Sequence, residues 1–248
     1  MPPDRLRHRH HLARPLGQAD AKPPHSKDHK APAVSPAHGA APAIVVGDAD
    51  HPLDRQPADL IARRVSEFGL PTERLTLGVG SGSAPGGVAR TKDGAAALSE
   101  LVDALVVVGA LGPKMCAVAG AVADGVLLNW LTADYVIPSA KIVDDAAREA
   151  GRPRPLILGY VRTAFGPGSH DVFLAEAGRY ASYPAYAANF SRMGTPAKGT
   201  AVIGDTPPEI QDGLAPFSGR LDETVVRAIT GEESLSAYLG LLEAAAPR

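Results

Sequence analysis

The segment Arg74-Leu75-Thr76-Leu77-Gly78-Val79-Gly80-Ser81-Gly82-Ser83 reads as a strand running into a glycine-rich loop. Glycines let the backbone approach a ligand closely and adopt positive φ, so successive N–H groups can turn toward an anion. A dinucleotide fingerprint is excluded. The Gly-x-Gly-x-x-Gly pattern wants glycine or alanine at Ser83 and an immediate helix, whereas Pro85-Gly86-Gly87 prolong the loop. Taken alone, the segment is as consistent with a long turn as with a ligand cradle. A second loop, Val108-Gly109-Ala110-Leu111-Gly112-Pro113-Lys114-Met115, ends the next strand and opens a helix with Pro113 at its first position. Free N–H groups and the positive dipole end at such a terminus favour a phosphate. Two such loops after consecutive strands suit a phosphorylated cofactor better than two unrelated turns.

Polar side chains near strand ends are candidates for holding substrate. Tyr160 and Arg162 share one face of a strand, and Arg227 sits in the last strand. An arginine on an interior strand is costly unless paired, so the alternatives for Arg162 and Arg227 are an anion-binding role and an internal salt bridge. Asn129 and Trp130 close another strand toward the same face, where they either line a pocket or simply pack. These four, Asn129, Trp130, Arg162 and Arg227, are the substrate-binding candidates. His51 and His170 follow strands on that face and could transfer protons, but loop histidines are common. Asp124 precedes its strand and reads as a turn residue on the opposite face. Cys116 lies in a small-residue helix with no histidine close in sequence, so it reads as a packed hydrophobe. No residue is assigned a catalytic role, and no metal site is expected.

The elements that must position these groups alternate. Short β-branched runs are separated by Ala-rich helical stretches, the pattern of parallel strands joined by crossover helices. Six strands are expected: Ala43–Val46, Arg74–Leu77, Ala104–Val108, Val126–Asn129, Leu156–Ala164 and Thr224–Ile229. Helices are expected at Pro57–Phe68, Asp93–Leu101, Pro113–Val122, Ala133–Ala150, Asp171–Met193 with a break at Pro184, Pro208–Phe217 and Glu232–Ala245. Gly151 with Pro153, and Gly194 with Pro196, stop two of them. The runs Leu105–Val108 and Val126–Leu128 are apolar on both faces, as strands covered by helices or enclosed in a barrel must be. At about 30 residues per strand–helix unit, residues 43–248 accommodate six or seven units rather than the eight of a closed barrel.

The chain has 248 residues, 45% of them hydrophobic and 21% charged, which excludes a mini-protein and fits a soluble globular fold. One cysteine excludes an intramolecular disulfide and any multi-cysteine zinc site, and makes a reducing cytoplasm the natural compartment. A net charge of −2 draws in neither nucleic acid nor an anionic membrane. No apolar run reaches the roughly 18 residues of a membrane span, because Asp103 and Asp124 interrupt the best candidates. Composition shifts sharply near residue 42. Residues 1–42 hold six of the eight histidines and eight of the 23 prolines, with few large apolar residues, and read as a disordered tail ahead of a domain at 43–248.

From Ala43 to Ala246 the chain resembles the bacterial luciferase-like flavin- and deazaflavin-dependent oxidoreductases. Its most specific pieces are Leu70–Gly82, Val107–Met115, Ala119-Gly120 and Ala123–Thr132, in the order and spacing of that family's strands three to eight. The resemblance implies a TIM (β/α)8-type barrel, usually a homodimer, that binds FMN or coenzyme F420 at its C-terminal face. It also implies that the cofactor phosphate is held by loops matching Gly80, Ser81 and Gly82, and Gly109, Ala110, Leu111 and Gly112. Function then follows as an oxidoreductase or monooxygenase acting on a small organic substrate, with the cofactor carrying the redox chemistry. Both cofactors carry a ribityl phosphate, so the loops do not choose between them; the family leans slightly toward F420.

Departures from the family set further expectations. Nothing before Ala43 resembles its first two strand–helix units, about 60 residues of barrel. Gly47-Asp48-Ala49-Asp50-His51 also replaces a more apolar stretch. The barrel is therefore expected to be incomplete, through a frameshift or a misplaced start, since out-of-frame reading of GC-rich DNA yields Arg, Pro, Ala and His. Rival readings are an inactive, cofactor-free remnant or partner protein, and a phosphate-binding barrel enzyme of isomerase or aldolase type. The last lacks a convincing Lys or Glu at a strand end.

Overall fold

The structure is a computed structural model that describes residues 43–45, 53, 56–82 and 85–247. The tail at 1–42 and the segment Gly47–His51 lie outside the described residues. Seven parallel strands form one sheet: β1 (Ala43–Val45), β2 (Leu75–Val79), β3 (Leu105–Ala110), β4 (Gly125–Asn129), β5 (Leu156–Phe165), β6 (Val202–Gly204) and β7 (Glu223–Ile229). Helices alternate with them: α1 (Ala58–Glu67), α2 (Gly87–Leu101), α3 (Pro113–Val122), α4 (Ala133–Glu149), α5 (Ser169–Ala181), α6 (Pro184–Met193), α7 (Pro207–Leu214) and α8 (Leu235–Ala245).

Strands β1 to β5 pair in chain order. On β5, residues 156–160 pair with β4, residues 163–165 with β6, and residues 158–164 with β7. Because the β7 register overlaps both of the others, β4 and β6 share one edge of β5 and β7 takes the opposite edge. Among the described residues β1 and β7 do not pair with each other, so the sheet is open. This is the β/α pattern expected of an incomplete TIM-type barrel, with the six expected strands in place and β6 in addition.

The apolar runs become the core. Val106, Val107, Val108, Val126, Leu127 and Leu128 are all buried. One face of the sheet packs under the first four helices, where Val106, Val108, Val126, Ala119 and Val143 belong to one cluster. Val107, Leu127 and Leu158 form a separate cluster on the other face, as alternation along a strand requires. A third cluster, built on Trp130, Phe173, Ala177, Phe190 and Ile229, joins α5 and α6 to the strand ends.

The largest departures from expectation are the start of α2 and the added strand β6. Helix α2 starts at Gly87, six residues before Asp93, because Gly86 takes φ +77° and turns the chain directly into the helix. Gly87 also lies where a Cβ would stand 2.9 Å from Cβ of Ser81, so the helix begins tight against the loop it follows. Strand β6 is only three residues long and pairs only with Thr163–Phe165, too short to leave an alternation pattern. The breaks at Pro184 and Gly194 lie where expected, with Gly194 at φ +64° closing α6. No helix among the described residues is long and apolar enough to cross a membrane.

Candidate functional site

Both glycine loops leave the C-terminal edge of the sheet side by side. Val79 at the end of β2 is in register with Val108 of β3, which sets Gly80, Ser81 and Gly82 beside Gly109, Ala110, Leu111 and Gly112. Gly109 and Ala110 are the last residues of β3, and Gly112 is the residue that precedes α3. The first loop is held by Arg90, whose Nη1 donates to the Ser81 carbonyl at 3.3 Å and whose Nη2 donates to that of Pro85 at 2.7 Å. Among the described residues, a Cβ added at Gly80 would meet nothing within 4 Å.

At the second loop no side chain caps α3; Pro113 has no N–H, Met115 and Cys116 donate to the Gly112 carbonyl, and the Lys114 amide is the one left with no helical carbonyl to donate to. A cation stands there instead. A Cβ at Gly112 would lie 2.6 Å from Nη2 of Arg192, which reaches over from the end of α6. Arg192 is steadied by donating to Asn189 Oδ1 at 3.2 Å, and the Asn189 amide in turn donates to the Trp130 carbonyl at 3.0 Å. Lys114, exposed in the first turn of α3, adds a second positive charge. The Lys114 amide, a guanidinium and an ammonium form a donor set suited to a phosphate. Sequence reasoning missed Arg192, because nothing in its spacing links it to a loop 80 residues earlier.

Leu111 packs against the Trp130 cluster, so the loops continue into the second group of polar candidates. Arg162 is 3% exposed. Its Nε donates to Glu176 Oε1 at 2.9 Å, its Nη1 donates to Asn129 Oδ1 at 2.7 Å, and its Cζ lies 3.5 Å from the Trp130 ring centroid. Arg227 stands beside it on β7 and donates from Nη2 to the other oxygen of Glu176, also at 2.9 Å. All four substrate-binding candidates, Asn129, Trp130, Arg162 and Arg227, therefore meet at one place. Burial pushes the Arg162 guanidinium below its ordinary value, with Arg227 adding to the fall and Glu176 opposing it. Of the alternatives for Arg162, the internal salt bridge is the observed one. Glu176 was missed by the sequence reading; the available signal was a single acid beside Phe173 and Ala177 on the buried side of α5.

Trp130 takes φ +50°, the one non-glycine residue with positive φ among the described residues. Phe173, Tyr180 and Phe190 surround its ring at centroid distances of 6.3, 4.9 and 5.5 Å. His170 is exposed on α5, and His51 lies outside the described residues. Asp124 accepts the Val106 amide at 3.0 Å and Arg152 Nη2 at 3.5 Å, a structural role on the opposite edge as expected.

Cys116 is buried in α3, and burial pushes its thiol up from 9.0 to about 11. A thiol whose folded value is raised contributes stability below pH 9 that is lost as the pH climbs toward 11, because only the unfolded chain ionises in that window. The midpoint of urea unfolding is therefore expected to fall between pH 9 and 11, and to fall less in Cys116→Ala. An identical alkaline slope in both proteins would show that the buried thiol is not responsible.

No protein-family model matches the sequence, and neither does any curated protein. Solved structures do match. An F420-dependent secondary alcohol dehydrogenase in complex with an F420–acetone adduct superimposes with TM-score 0.55 at 12% identity, over 84% of this chain and 78% of that chain. Monooxygenase RslO1 from Streptomyces bottropensis gives TM-score 0.51 at 16% identity, over 77% of this chain and 73% of that one. EDTA monooxygenase EmoA from Chelativorans sp. BNC1 gives 0.51 at 12% identity, over 75% and 69%. The chain shares the fold of these oxidoreductases. It is also the fold that the luciferase-like resemblance implies.

Proposed function

We propose that the protein is a luciferase-like oxidoreductase that holds F420 or FMN at the C-terminal edge of its sheet and acts on a small organic substrate. One observation carries the proposal: two glycine loops lie side by side at that edge, with no atom of the described residues within 4 Å of a Cβ at Gly80 and with Arg192 poised over the start of α3, which no side chain caps. The fold likeness to an alcohol dehydrogenase named as F420-dependent, and to two named monooxygenases, supports the same class. Gly80, Ser81, Gly82, Gly109, Ala110, Leu111 and Gly112 bring backbone to the phosphate, while Arg192 and Lys114 balance its charge. When bound, the cofactor supplies hydride transfer or oxygen chemistry. The protein's part is to position the ring and the substrate and to exclude water; a homodimer in the cytoplasm belongs to the same proposal.

Gly80→Val tests the cradle cleanly. Its Cβ meets no atom of the described residues within 4 Å, so folding should be little affected, while the branched side chain fills the approach to the phosphate. Fluorescence titration should show affinity for F420 or FMN falling at least about tenfold, a difference of about 1.4 kcal/mol. Unchanged affinity in a folded Gly80→Val protein would remove the first loop from the site.

A further inference from the structure

The charges around Glu176 do not balance. Arg162 and Arg227 are direct register partners on β5 and β7, and like charges placed opposite each other on a sheet repel. Neither guanidinium can shed its proton in a protein. Among the described residues, Glu176 is the only carboxylate paired with either of them, and it is shared by both. The cluster therefore carries one positive charge in excess, with Arg162 at 3% and Glu176 at 9% side-chain exposure. The buried Arg162–Glu176 pair balances, so the excess falls on the half-buried Arg227, where a counter-ion is favoured.

Only Arg227 can receive that counter-ion. Arg162 is enclosed by Glu176, Asn129 and the Trp130 ring, whereas Arg227 is 33% exposed. Among the described residues, two of its five N–H donors are engaged, one on Glu176 and one on the Ala228 carbonyl. Resting on the oxidoreductase reading, we infer that Arg227 binds the carboxylate of an organic acid substrate, with Arg162 and Glu176 as the positioning pair behind it. The planar guanidinium fork matches a carboxylate in two-point contact, which sets the substrate class as a small carboxylic acid.

Trp130 is the only tryptophan of the chain and lies against Arg162, so its fluorescence reports on this cluster. Full-length protein without cofactor is titrated with acetate, with acetamide as its uncharged counterpart, and with inorganic phosphate, at constant ionic strength. Acetate is expected to change the Trp130 emission saturably and to raise the thermal midpoint, while acetamide does neither. Arg227→Leu should abolish the acetate response, and Arg227→Lys, which keeps the charge but loses the fork, should weaken it about tenfold. If Arg227→Leu does not fold, the Arg227→Lys shift decides. Equal responses to acetate and acetamide, or an undiminished response in the Arg227 variants, would overturn the assignment. Phosphate binding more tightly than acetate and displaced by FMN would overturn it too, by giving the site to a cofactor phosphate. An acetate response in a protein that binds neither F420 nor FMN would uphold the anion site and remove the oxidoreductase reading. Cofactor binding with no acetate response would do the reverse.

Discussion

Glu176→Ala should lower the free energy of unfolding by about 3–5 kcal/mol, the cost of stripping the partner from a buried charge. Glu176 holds Arg162 with one oxygen and Arg227 with the other, so its loss leaves two guanidiniums facing each other across adjacent strands. Arg227 can turn toward water, but Arg162 has no route out. A domain of this kind is stable by only about 5–15 kcal/mol, so the variant should show a much earlier urea midpoint. The double variant Arg162→Met with Glu176→Leu should regain most of the loss, because apolar residues of similar volume replace the buried pair and the charge that remains, Arg227, is 33% exposed and can turn toward water. Urea unfolding of the three proteins, followed by circular dichroism, checks this. A Glu176→Ala protein within about 1 kcal/mol of the parent would mean that the cluster is solvated and not a buried ion pair.

Trp130→Ala should cost a comparable amount, about 3–5 kcal/mol, for a different reason. The indole is 1% exposed and packed among three aromatic rings, so truncation leaves a cavity and uncovers one face of Arg162. Its left-handed backbone costs about 1–2 kcal/mol for a residue with a Cβ, and packing must exceed that for the conformation to persist. Trp130→Phe should cost far less. Phenylalanine fills much of the same volume and removes an indole N–H that has no partner among the described residues. Chemical denaturation ranks the two variants. Equal stability of Trp130→Ala and Trp130→Phe would show that the ring is not what holds this corner.

The strands were legible because β-branched runs such as Val106–Val108 can be buried on both faces only in a covered parallel sheet, and they are buried so. The loops were legible because glycine and proline act locally, and Gly112 with Pro113 does open α3. Where partnership is long-range, local pattern falls silent. Glu176 meets Arg162 across 14 residues and a change of element, and Arg192 reaches Gly112 from α6, 80 residues later. The start of α2 was obscured for a related reason: Gly86 and Gly87 read as loop, yet one supplies the turn and the other the close contact with Ser81. Strand β6 depends on an edge of β5 left vacant beyond β4, which only the register reveals.

The phosphate cradle at Gly80–Gly82 and Gly109–Gly112 is the centre of the functional proposal, and a paired titration tests it most directly. Purified protein is titrated with F420, FMN and riboflavin, the last being FMN without its phosphate, and binding is read from cofactor fluorescence. One cofactor per chain is expected to bind saturably, either F420 or FMN, with riboflavin at least about tenfold weaker than FMN if FMN is the partner, since the phosphate carries the contacts to α3 and Arg192. Binding of none of the three, or equal binding of FMN and riboflavin, would contradict the cradle.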